Sequence, residues 1–125
     1  MTGQEAPAAG AGVVRACRVS VSIAEVDAER AAAVAAAFGP GERAWALGAS
    51  PRTLAGRIAA KRALDRLAGR AGDRLDAWVI AADPDGAPRV VAAPCGVPAD
   101  WRVAISHDRT TAWALAAIQA TEVRP

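Results

Sequence analysis

Arg57, Lys61 and His107 are the side chains of this sequence whose types and positions could do chemistry. Arg57 and Lys61 stand one helical turn apart in a stretch where Leu54, Ile58, Ala60, Leu64 and Leu67 form one apolar face. Two cations therefore intrude on a face that should be buried, and buried cations need partners. One reading has their stems lie along the core while their heads reach water or a carboxylate such as Asp65. The other is an anion site at the edge of the core. His107 is the only histidine, so it can move a proton near neutral pH, but a mechanism needing two histidines in one chain is excluded. Cys17 and Cys95 lack the C-x-x-C spacing of zinc or redox sites and read as buried or incidental thiols in a reducing cytosol.

The elements that must position these residues follow from periodicity and punctuation. Residues 18–23 alternate polar and apolar, which predicts a strand with Val19, Val21 and Ile23 toward the core. Asp27 is placed to cap a helix running through the Ala-rich stretch to Phe38, stopped by Gly39-Pro40. A short helical piece spans 42–47. The clearest helix covers 51–68, because Ser50-Pro51 supplies a cap and a proline at the first position and Gly69 supplies the stop. Residues 76–82 and 88–92 flank Asp83-Pro84-Asp85-Gly86 and predict a hairpin. Strands at 102–106 and 111–118 follow, joined through His107-Asp108-Arg109. The expected class is α+β, a mainly antiparallel sheet packed on a long central helix.

With 125 residues, 53% of them hydrophobic and 22% charged, the chain suits one globular domain. That domain is expected at 17–120, with a flexible leader at 1–16 and a tail at 121–125. The 15 basic residues outnumber the 13 acidic ones by little, and the arginines are scattered, which argues against nucleic acid as a partner. No run of 18 apolar residues is present. The expected location is the cytoplasm, with no membrane partner.

Three segments together resemble the 4′-phosphopantetheinyl transferase superfamily, in its short holo-acyl-carrier-protein synthase branch. Val21-Ser22-Ile23-Ala24-Glu25-Val26 stands where the family has Gly-x-Asp-Ile-x-Glu. Leu54-Ala55-Gly56-Arg57-Ile58-Ala59-Ala60-Lys61-Arg62-Ala63 is similar at nearly every position to Leu-Ala-x-Arg-Phe-Ala-x-Lys-Glu-Ala. Val103-Ala104-Ile105-Ser106-His107, followed by Ala112-x-Ala114, matches the family's last strands, and Gly86-Ala87-Pro88 echoes its hairpin.

The resemblance implies the family's fold, coenzyme A as substrate or ligand, an acyl carrier protein as partner, and a homotrimer. It places His107 and Lys61 as catalytic residues and Arg57, Lys61, Arg62 and Ser106 against coenzyme A. The family's metal-binding Asp and Glu are Ser22 and Arg62 here, so no metal ligand is assigned and Mg²⁺-dependent transfer to a carrier serine is disfavoured. Three outcomes follow. Arg62 replaces the ion as a fixed cation on a diphosphate; or Glu25 and Asp65 rebuild a metal site; or the pocket serves another reaction, on a polyketide-type intermediate for instance, with His107 as acid or base. A non-catalytic subunit binding a carrier protein, coenzyme A or a sister subunit is the remaining alternative.

Overall fold

The computed structural model describes residues 13–94 and 100–120. The chain runs β1 (Val13–Ser22), α1 (Ile23–Ala28), α2 (Arg30–Ala37), α3 (Pro40–Gly48), α4 (Pro51–Leu67), a 3₁₀ turn (Leu75–Ala77), β2 (Val79–Ala82), β3 (Pro88–Ala92), β4 (Asp100–His107) and β5 (Thr111–Ala120). Two antiparallel sheets form, one in the order β1-β5-β4 and the other from the β2-β3 hairpin. This is the expected α+β architecture, with α4 as the central helix.

The start and stop signals of α4 are those of the sequence. Ser50 Oγ accepts from the Thr53 amide at 3.2 Å, Pro51 occupies the first turn, and Gly69 leaves the helix at φ +77°. The helix lies across the three-stranded sheet. Its Leu54, Ile58, Ala59 and Leu64 meet Val19, Val21, Ala112, Ala114 and Ala116, all buried. Small residues let helix and sheet approach closely, and closest at Gly56, where a Cβ would stand 2.7 Å from Ile105 Cγ2.

Four expectations need correction. Strand β1 begins at Val13, pairing with Ala120 of β5, so residues 13–16 belong to the sheet and not to a leader. Residues 1–12 and 121–125 lie outside the described residues, as do Cys95 and most of the loop before β4. The single helix expected from Asp27 to Phe38 is two helices broken at Glu29. Ser22 caps the first, its Oγ accepting from the Glu25 amide at 3.2 Å, while Asp27 pairs with Arg30 at 2.7 Å. Strands β4 and β5 are both longer than expected, because a ten-residue β1 gives β5 a partner along its length.

Candidate functional site

Helix α4 sorts its polar side chains into two groups. Lys61 is fully buried, and its Nζ donates to Ala37 O at 2.7 Å, pairs with Glu42 Oε1 at 2.9 Å and lies 4.1 Å from the Phe38 ring centroid. Burial pushes its pKa below the ordinary lysine value, against the opposing pull of Glu42 and Asp76. Arg57 is also committed internally. Its Nη1 donates to Ile80 O at 2.6 Å and its guanidinium sits 5.0 Å from the Trp45 ring centroid. The carboxylate partner of Lys61 is therefore Glu42, on α3, and not Asp65, while Arg57 is satisfied by a carbonyl.

Asp65 has a different task. It is buried, and it accepts from Trp78 Nε1 at 2.8 Å and from the Gly72 amide at 2.7 Å, with Arg70 Nε 3.2 Å away. One carboxylate thus ties the end of α4, the following loop and the core indole together. Its oxygens are occupied by these donors, and it lines the cavity at the end of α4 whereas Glu25 lines the one along β1. Among the described residues no group of three or more His, Cys, Asp or Glu is arranged to hold a metal ion.

The second group faces solvent. Arg62 and Arg66 are exposed and have no side-chain partner among the described residues. Arg62 lies between two open cavities of about 460 Å³ each. One runs along the end of β1 and is lined by Ser20, Ser22, Glu25 and Glu29 besides Arg62. The other follows the end of α4 and is lined by Arg62, Arg66 and Arg70, with Asp65 and Gly72. Arg70 there pairs with the single carboxylate, Asp65, which leaves the Arg62 and Arg66 guanidiniums as the unbalanced charges of the second cavity, a positive lining that favours an anion. Arg66 and Arg70 are not among the residues singled out from the sequence; the spacing of Arg62 and Arg66, one turn apart on α4, was the available signal for the first, and none marked Arg70, which lies past the Gly69 stop.

The structure brings Ser22, Glu25 and Arg62 together and keeps Lys61 and Arg57 apart from them; neither lines these two cavities. His107 pairs with Ala112, which pairs with Val21, so it occupies the sheet end near Ser22, two strands away, or roughly 10 Å. By strand alternation His107 belongs to the face of Ile105, toward α4, and Ser106 to the opposite, open face beside Trp113 and Leu115. The two adjacent residues therefore belong to opposite faces of the sheet. Asp108 builds the turn between them and β5. It accepts from the amides of Thr110 and Thr111, both at 2.8 Å, and those bonds hold its carboxyl below the ordinary aspartate range.

No family model matches this chain, and no curated protein does. Solved structures do match. A Bacillus anthracis holo-(acyl-carrier-protein) synthase in complex with coenzyme A (3′,5′-ADP) superposes with a TM-score of 0.73 at 18% identity, covering 89% of this chain and 97% of that one. The Helicobacter pylori synthase in complex with coenzyme A gives 0.67 at 18% identity, over 84% and 100%. The Mycobacterium tuberculosis acyl carrier protein synthase gives 0.64 at 28% identity, over 88% and 97%. The chain has the fold of the holo-acyl-carrier-protein synthases, as its resemblance to the phosphopantetheinyl transferase superfamily implies.

Proposed function

We propose that this chain, built on the holo-acyl-carrier-protein synthase fold, binds coenzyme A or its phosphopantetheine arm through the arginine-lined cavity at the end of α4. The observation that carries the reading is the position of Arg62 and Arg66 on one cavity whose single carboxylate, Asp65, is already paired with Arg70. Guanidiniums make bidentate, charge-assisted hydrogen bonds to phosphate oxygens. Arg62 also lines the β1 cavity beside Ser22, where the family keeps acids for a divalent ion. A hydroxyl already used as a helix cap and a fixed positive charge suit a hard divalent cation poorly. In this reading Arg62 takes over charge neutralisation at the diphosphate, so binding survives without metal, whereas Lewis-acid assistance to transfer is lost. Arg57 and Lys61 belong to the scaffold.

An acyl carrier protein is the partner proposed for the bound arm, with His107 the available proton acceptor at that end of the sheet. A homotrimer is proposed as the assembly. It is supported by the uncovered sheet face, where Leu115 is 47% exposed beside Trp113 and Ala104.

Calorimetry of coenzyme A binding in excess EDTA tests the reading. Binding should persist without metal, and Arg66→Ala should weaken it about ten- to a hundredfold, the loss of one charge-assisted contact of roughly 1.5–3 kcal/mol. Equal affinity in Arg66→Ala and the wild type would remove the cavity from consideration. In parallel, an apo carrier protein incubated with coenzyme A, Mg²⁺ and this chain should show no gain of the phosphopantetheine mass. A gain would overturn the loss of transfer.

A further inference from the structure

Helix α3 is attached to the rest of the molecule by charge more than by apolar packing. Of its residues only Ala46 is buried, while Trp45 and Leu47 are 44% and 51% exposed. Trp45 meets the Arg57 guanidinium at 5.0 Å and the Phe38 ring at 6.1 Å between centroids, and three polar fastenings hold the helix besides. Glu42, in its first turn, pairs with Lys61. Arg43 Nε returns to Phe38 O at 3.0 Å, at the junction with α2. Arg30 Nη1 reaches the carbonyls at its far end, Ala49 O at 2.7 Å and Ala46 O and Leu47 O at 3.3 Å each, while the same guanidinium pairs with Asp27. Gly39 precedes the helix without a side-chain cap, and Gly48 ends it in open space.

Beneath this helix lies the chain's only lysine. The other groups around the Lys61 amine, Ala37 O and the Phe38 ring, belong to the end of α2 and its junction, so Glu42 is the partner that α3 itself contributes. Arg57 and Asp76 are the further charges acting on that amine. We propose that α3 is a strap that swings away from α4 as a unit while the central helix and sheet stay folded, and that Glu42 is the latch whose release uncovers the amine of Lys61. An element with little buried apolar surface and charge-based attachments has the low local stability that such subglobal opening requires. Closed, Lys61 is an internal counter-ion; open, it becomes a surface amine on the same helix as Arg57. The proposal stands apart from coenzyme A binding, since it concerns the opposite group of α4 side chains.

A single lysine makes the test clean. The full chain is treated with an amine-reactive ester, and modification of Lys61 is followed by peptide mass spectrometry against Nα-acetyl-lysine in the same tube. Wild-type Lys61 should react at least a hundredfold more slowly than the free derivative. Its rate should depend on sub-denaturing urea more weakly than does the global transition read by tryptophan fluorescence, because opening a strap exposes less surface. Arg30→Ala removes the carbonyl fastenings without touching any Lys61 contact and should raise the rate about tenfold or more, as should Glu42→Gln. Two results would overturn the proposal. One is an unchanged rate in Arg30→Ala; the other is a wild-type urea dependence equal to that of global unfolding, an arm that requires no variant to fold.

Discussion

Replacing Asp65 probes both the scaffold and the site that depends on it. In Asp65→Ala the Trp78 indole N–H, fully buried, loses its acceptor at 2.8 Å, the Gly72 amide loses its acceptor at 2.7 Å, and Arg70 loses its ion pair at 3.2 Å. An orphaned buried donor costs roughly 1–3 kcal/mol, and breaking a buried charge pair about 3–5 kcal/mol in full. Arg70 is 28% exposed, so water recovers part of its loss and the lower end of that second range applies. The expected destabilisation is about 4–6 kcal/mol, a large part of the roughly 5–15 kcal/mol that holds a domain together. Asp65→Asn keeps one carbonyl oxygen for the indole but turns an N–H₂ toward other donors, so about half that loss is expected. Urea unfolding followed by tryptophan fluorescence measures both. The second consequence concerns binding, because Arg70 and the Gly72 loop line the anion cavity. Asp65→Asn should weaken coenzyme A binding while the fold persists. A change below about 1 kcal/mol for Asp65→Ala would refute the assignment of Asp65 as the tie between α4, its loop and Trp78.

Gly56→Ala tests the closest approach of helix and sheet: the added methyl gains about 0.8–1 kcal/mol of helix propensity but meets Ile105 Cγ2 at 2.7 Å, and overpacking costs roughly 1–3 kcal/mol. Because Ile is stiff at χ1, a net loss of about 1–2 kcal/mol is expected, turning into a gain when Ile105→Ala removes the obstructing methyl; a urea double-mutant cycle without that change of sign would contradict the packing. Asp108 predicts part of the acid sensitivity. Its carboxyl is held below its ordinary value by the amides of Thr110 and Thr111, so its contribution is present above the unfolded-state pKa and is lost as pH falls through the lower native one. Asp108→Asn should therefore show a smaller drop in thermal midpoint between pH 5 and pH 3 than the wild type, about the span over which an ordinary aspartate protonates.

Much of the fold is legible in the sequence where local signals and tertiary packing agree. Ser50-Pro51 and Gly69 bound α4 closely, and Asp83 to Gly86 mark the hairpin turn, with Gly86 at φ +90°. The break at Glu29 is not legible, because an Ala-rich stretch has uniformly high helix propensity and the decision comes from elsewhere. Ser22 starts a helix earlier than Asp27 could, and Arg30 is drawn to carbonyls 16 to 19 residues away. The same distance problem hides the partner of Lys61: Asp65 is one turn along α4, whereas Glu42 arrives on a separate helix, 19 residues earlier. Arg66 and Arg70 escape notice for the opposite reason. An exposed arginine on a helix, such as Arg66, or one just past its end, such as Arg70, is common, and only the fold shows that these share a cavity with Arg62.

Family resemblance and burial pull in different directions along α4, and burial decides between them for the cations. The motif that carries the resemblance contains Arg57, Lys61 and Arg62 as a continuous cluster, yet successive helical positions turn about 100° and so present different faces. Lys61 is sealed under α3 and neutralised there; Arg57 is half-buried and stacked on Trp45. Neither can meet a diphosphate without first giving up a partner. Arg62 gives up nothing, since it is exposed with no partner among the described residues. The substitution that removes an acid from the expected metal position thereby supplies the one motif cation free to bind an anion. In the proposed reading, a helix that has lost its metal site gains, by the same arginine, an anion site, and the metal-free binding experiment discriminates the two because only the second survives EDTA.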